Sequence, residues 1–186
     1  MRVCVFCGSS PGKGEAYRDA ARHVGRVFAE RGIELVYGGA SVGTMGVLAD
    51  AVLAAGGKAH GVIPRSLVDR EVAHAGLTTL KVVADLHERK AAMSELADGY
   101  LTLPGGAGTL EELFEVFTWA QLGLHSKPIA LLDVGGYWQP MMRFLENMSA
   151  EGFLADDFRR MLIVTTEVTE ALERFVDYRP PRTKWT

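Results

Sequence analysis

Hydrophobic positions along the chain fall into two alternating patterns. Short continuous apolar runs of four to seven residues recur between longer segments with apolar residues every three or four positions. Arg2–Cys7 reads as the first strand and ends in a glycine- and serine-rich loop, Gly8–Gly14. From Tyr17 to Arg31 the spacing is helical, with Tyr17, Ala20, Ala21, Val24, Val27 and Phe28 on one face, and Gly32 marks its end. The same logic predicts strands at Ile33–Tyr37, Lys58–Ile63, Leu77–Val83, Tyr100–Leu103, Pro128–Leu132 and Met161–Val164. Helices are predicted from about Thr44 to Ala55, then over Leu86–Leu96, Thr109–Leu122, Tyr137–Glu151 and Val168–Phe175. Pro64 to Gly76 is polar and carries no periodicity. Strands without polar alternation are buried on both faces, and strand–helix alternation makes a parallel sheet. The expected fold is α/β: a Rossmann-like doubly wound parallel sheet with helices on both faces. It forms one domain over residues 1–178, with a loose tail at 179–186.

In such folds ligands bind beyond the carboxyl ends of the strands, at a switch in strand order. Three glycine loops lie at predicted strand ends: Gly8–Gly14, Gly38–Gly46 and Pro104–Thr109. A tight turn alone favours glycine, but three loops at one sheet edge point to a nucleotide. The third is the most informative. Pro104-Gly105-Gly106-Ala107-Gly108-Thr109 passes straight into helical spacing, which aims free N–H groups and a positive helix end at a phosphate. It is neither a Walker A loop, since no Lys follows the last Gly, nor G-x-G-x-x-G. Glu111 and Glu112 in its first turn either complement the helix dipole or handle a reaction at a sugar.

A second local oddity is Asp85-Leu86-His87-Glu88-Arg89-Lys90. Asp85 and Glu88 make a capping box, yet two adjacent cations in the first turn oppose the dipole. Either both are solvated, or an anionic ligand or a buried acid faces them.

Composition narrows the classes. The chain has 186 residues, 48% hydrophobic and 23% charged, with a net charge of −3. That is ordinary for a globular protein and argues against a nucleic-acid binder. The apolar start is too short for a signal peptide or a membrane span, so the expectation is a cytoplasmic protein with no membrane partner. Cys4 and Cys7 form C-x-x-C inside a strand; three residues apart they face opposite sides about 10 Å apart, and read as core residues. His23, His60, His74, His87 and His125 have no metal spacing, and no metal is expected.

Taken together, Tyr37-Gly38-Gly39, Gly43-Thr44-Met45-Gly46, His87-Glu88-Arg89-Lys90 and Pro104-Gly105-Gly106-Ala107-Gly108-Thr109-Leu110-Glu111-Glu112 resemble the LOG (Lonely Guy) family. Its members are cytokinin riboside 5′-monophosphate phosphoribohydrolases, many still labelled lysine decarboxylase-like. The resemblance spans about residues 2–175, and the length matches the shorter, dimeric type. It implies catalytic Arg89 and Glu112. It also implies substrate contacts from Lys90, Gly105, Gly106, Gly108, Thr109, Glu111, Thr118 and, in the variable loop, Glu71. Gly38, Gly39, Gly43 and Thr44 are expected to line the same nucleotide site. The implied reaction cleaves the N-glycosidic bond of an N6-substituted adenosine 5′-monophosphate. It needs no cofactor and uses a homodimer whose active site lies at the subunit interface. Two other classes remain. One is a pyridoxal phosphate-dependent decarboxylase, although Lys13, Lys58, Lys81, Lys90, Lys127 and Lys184 sit in no recognisable cofactor motif. The other is a non-catalytic nucleotide or molybdenum-cofactor carrier on the same fold.

Overall fold

The computed structural model describes residues 1–70 and 72–184. Seven strands alternate with helices: β1 (Arg2–Phe6), α1 (Ala16–Glu30), β2 (Glu34–Tyr37), α2 (Gly43–Ala54), β3 (Ala59–Pro64), α3 (Arg65–Val68), β4 (Thr79–Val83), α4 (Leu86–Leu96), β5 (Gly99–Thr102), α5 (Ala107–Gln121), β6 (Ile129–Leu132), α6 (Gln139–Ala150), α7 (Asp156–Arg160), β7 (Leu162–Thr165) and α8 (Val168–Val176). All strand pairs are parallel, in the order β4-β3-β2-β1-β5-β6-β7. The chain starts at the centre, builds outward to β4, returns to pair β5 with β1, and builds outward the other way. The strand order therefore switches between β1 and β5.

Strand geometry sends successive side chains to opposite faces, and each face has its own core. Val3, Val5 and Cys7 join Leu35 and Leu101 against α1, α2 and α8. Cys4 and Phe6 join Tyr100 and Leu131 against α4, α5 and α6. The doubly wound expectation holds, and the two cysteines are free, buried and on opposite faces. Truncating a fully buried strand residue such as Leu35 or Leu101 to Ala should cost ~2–5 kcal/mol. The edge strand β4 is the exception to burial, with four of its five residues exposed. Among the described residues no helix is long and apolar enough to cross a membrane.

Four details differ from the sequence reading. The helix expected from Thr109 begins at Ala107, because its first two residues, Ala107 and Gly108, carry no large apolar side chain to announce it. The Pro64–Gly76 stretch contains the single-turn α3 and then pairs with the second glycine loop through an antiparallel bridge, Ala40 to Ala73. The helix expected from Tyr137 begins at Gln139, after a 3-10 turn at Val134–Gly136. Finally, α7 is too short to show a period. Beyond α8 the chain is irregular through Lys184, whose N–H donates to the Gln121 carbonyl at 2.9 Å.

Candidate active site

Two helix N-termini, α2 and α5, meet at the switch point, and they are not equivalent. In α5, Gly106 is the extended N-cap, and the first bonded amide is that of Leu110, to Gly106 O at 3.1 Å. The N–H groups of Ala107, Gly108 and Thr109 find no protein acceptor among the described residues. Those open donors and the helix dipole make an anion site. In α2, by contrast, the Thr44 and Met45 N–H groups both donate to the Gly8 carbonyl, at 3.0 and 3.4 Å. The Thr44 hydroxyl also donates to that carbonyl at 3.1 Å and accepts from the Gly8 N–H at 3.0 Å. Gly43 lies so close to the first loop that a Cβ there would fall 2.4 Å from the Ser9 carbonyl carbon. Gly43 and Thr44 bolt the first and second loops together, because the first loop fills the α2 terminus, and Thr44 also lines an adjoining cavity of about 230 Å³.

A cavity of about 390 Å³ lies between α5, α4 and the second loop. Its polar lining is Gly106–Thr109 with Arg89, Lys90, Glu111 and Glu112. Its apolar lining is Val42, Met45, Leu67, Val72 and Leu86. Arg89 and Lys90 leave the first turn of α4, which Asp85 caps by accepting from the N–H groups of His87 and Glu88 at 2.8 and 2.9 Å. Glu88 closes the cap on the Ala84 N–H at 2.8 Å, one residue before the expected partner.

Both cations are turned inward. Arg89 Nε donates to the Val62 carbonyl at 3.2 Å, and its Nη2 stands 3.3 Å from Glu112 Oε1. Its guanidinium lies where a side chain on Gly38 would be, with Nη2 1.8 Å from the ideal Cβ position. Glu112, one turn into α5, is 8% exposed. Burial raises its carboxyl to about 7 although Arg89 pulls it down. Lys90 is 7% exposed and bridges Glu111 and Glu115, the latter at 3.0 Å. Burial opposes its charge, but the two carboxylates outweigh it and hold the ammonium above its ordinary pKa. The first-turn cations that oppose the α4 dipole are thus stabilised by three acids of α5, not by water.

The structure brings Arg89, Lys90, Glu111, Glu112, Gly106, Gly108 and Thr109 together, with Gly38 beneath Arg89. Gly105 lines an adjoining cavity of about 230 Å³. Gly39 is set back from the main cavity, its carbonyl accepting from the His74 N–H at 2.9 Å. Thr118 is exposed on α5 and does not line the cavity. Glu71 lies outside the described residues. Sequence reasoning missed the apolar wall and the Ser9 and Cys7 lining. Leu86, at 54% exposed, was the available signal, a large apolar side chain in the first turn of an otherwise polar helix start. Among the described residues no group of three His, Cys, Asp or Glu could hold a metal ion.

A family model described as "possible lysine decarboxylase" matches residues 45–175. Cytokinin riboside 5′-monophosphate phosphoribohydrolase LOG of Oryza sativa subsp. japonica is 47% identical over 179 residues, covering 96% of this chain and 74% of that protein. LOG7 of Arabidopsis thaliana, with the same described activity, is 46% identical, covering 96% and 82%. Among solved structures, a structural-genomics X-ray structure matches with TM-score 0.73 at 24% identity, covering 96% of this chain and 99% of that one. The molybdenum cofactor carrier protein of Chlamydomonas reinhardtii matches with TM-score 0.70 at 19% identity, covering 95% and 98%. At those identities the structures share the fold alone.

Proposed function

We propose that this chain, which belongs to the LOG family of cytokinin riboside 5′-monophosphate phosphoribohydrolases, hydrolyses the N-glycosidic bond of an N6-substituted adenosine 5′-monophosphate. The products are the free base and ribose 5-phosphate. The observation that carries this reading is the buried Arg89–Glu112 pair in the same cavity as the open α5 N-terminus.

The 5′-phosphate sits on the free amides of Ala107–Thr109, and the base lies against the apolar wall of Val42, Met45, Leu67, Val72 and Leu86. This leaves the anomeric carbon near Glu112. As the bond to the base nitrogen breaks, positive charge builds on the ribose, as in glycoside hydrolysis. The Glu112 carboxylate stabilises that charge and accepts a proton from the attacking water, whose oxygen bonds to the anomeric carbon. The base departs with the bonding electron pair and takes up a proton. Arg89 favours the ionised form of Glu112 against the cost of burial. Phosphate binding, remote from the broken bond, supplies positioning.

A homodimer completes this reading. Leu110, Phe114 and Trp119 on α5 are only partly buried, and Leu122, Leu124 and Leu86 are exposed. Thr118 shares this side of α5 and is outside its own cavity. A two-fold axis here would cover the apolar face and carry Thr118 toward the neighbouring site.

The decarboxylase description fits the residues less well. A Schiff-base lysine must shed its proton, whereas Lys90, which lines the cavity, is held charged by Glu111 and Glu115. The test is a substrate panel of AMP, N6-isopentenyl-AMP, its riboside, GMP and CMP, with free base measured. Base release from the adenine monophosphates supports the reading, and release from none of them overturns it.

A further inference from the structure

The loop after β6 reaches the glycine cradle. Asp133 accepts from the Trp138 N–H at 2.8 Å and from the Gln139 amide at 2.6 Å, which folds the turn tightly. That turn delivers Tyr137, whose hydroxyl donates to the Gly105 carbonyl at 2.5 Å. The ring is held separately, edge-on to Tyr17 with centroids 5.8 Å apart and to Trp138 at 4.9 Å. Tyr137 lines the smaller cavity, and Gly106 lines both that cavity and the larger one.

A trans peptide points its carbonyl and its N–H in opposite directions. Fixing the Gly105 carbonyl toward Tyr137 therefore turns the Gly106 N–H away from Tyr137. Between two glycines this peptide plane has little restraint of its own, since neither residue carries a Cβ. If it rotated, the Gly105 oxygen would replace a donor with an acceptor where an anion binds.

We propose that Tyr137 is a positioning residue that locks the Gly105–Gly106 peptide so that its N–H, and not its carbonyl, faces the substrate phosphate. This rests on the nucleotide monophosphate reading of the main cavity. Tyr137 acts through the loop and does not touch the reacting atoms. It comes from a third strand end, one that neither the glycine signature nor the charged pair identifies.

Tyr137→Phe removes the hydroxyl and keeps the ring contacts, so the fold should survive with a melting temperature close to the parent's. AMP and adenosine binding are measured by calorimetry, with and without Tyr137→Phe, in a Glu112→Gln background that prevents turnover. The expected result is about tenfold weaker AMP binding, the scale of one hydrogen bond to a charged group, with adenosine affinity unchanged within about twofold. Tyr17→Phe, which leaves the bond to Gly105 intact, should change neither. Unchanged AMP affinity in Tyr137→Phe, or equal weakening of both ligands, overturns the proposal, the latter because general loosening would affect both. Absence of AMP binding by the parent overturns the proposal and the nucleotide reading together. Absence of base release, with the binding difference intact, overturns only the hydrolase reading.

Discussion

Replacing Glu112 with Gln probes both the chemistry and the electrostatics of the site. The amide keeps the shape of the side chain and removes its ionisation. A neutral group cannot offset positive charge on the ribose, so kcat should fall at least ~10²-fold, about 2.7 kcal/mol or more of transition-state stabilisation. Burial raises the carboxyl from an ordinary 4.5 to about 7, and the reaction needs the ionised form. The parent's kcat/KM should therefore rise with pH through about 7. Stability should move the other way. The folded state holds this proton more tightly than the unfolded chain, so the contribution is complete below about pH 4.5 and is lost as pH rises through 7. The largest loss is about 3 kcal/mol, from roughly two and a half pH units at 1.36 kcal/mol each. Urea titrations at pH 5 and pH 8 should show that component in the parent and lack it in the Gln variant. Base release, quantified chromatographically, reads the activity. A Gln variant within a few-fold of the parent refutes the catalytic role. An acid limb below pH 5 refutes the argument from burial.

The other predictions use separate parts of the structure. Gly38→Ala places a methyl 1.8 Å from Arg89 Nη2, so the flexible guanidinium must leave Glu112. Activity should fall about tenfold or more with little change in melting temperature, and full activity would show that this placement of Arg89 is unnecessary. N6-isopentenyladenosine should be hydrolysed far less efficiently than its 5′-monophosphate, because the open α5 terminus acts only on a phosphate. Comparable kcat/KM values would contradict that. Light scattering across a dilution series should report a dimer, and a monomer fully active at micromolar concentration would refute the shared-interface reading.

The features legible in the sequence were those written in local spacing. Continuous apolar runs located the strands, period-3.6 spacing located most helices, and the glycine loops marked the functional edge of the sheet. Arg89 and Lys90 declared themselves by opposing their own helix dipole, while the acids that stabilise them, Glu111, Glu112 and Glu115, lay some twenty residues downstream. Thr44 shows the limit of such reading. A glycine loop followed by a helix looks the same at Thr44 as at Thr109, yet the Gly8 carbonyl, from a different strand end, occupies one terminus and leaves the other open. Tyr137 was illegible for the same reason, since its partner is a backbone carbonyl in another loop. The start of α5 was misplaced because Ala107 and Gly108 carry no hydrophobic signal.

The most direct test of the account is product stoichiometry with N6-isopentenyl-AMP. The protein is incubated with the nucleotide, and N6-isopentenyladenine and ribose 5-phosphate are quantified together over time, beside the Glu112→Gln variant. The account predicts the two products in a one-to-one ratio from the parent and at least ~10²-fold slower formation by the variant. No free base, or inorganic phosphate and nucleoside in place of base and ribose 5-phosphate, would contradict it.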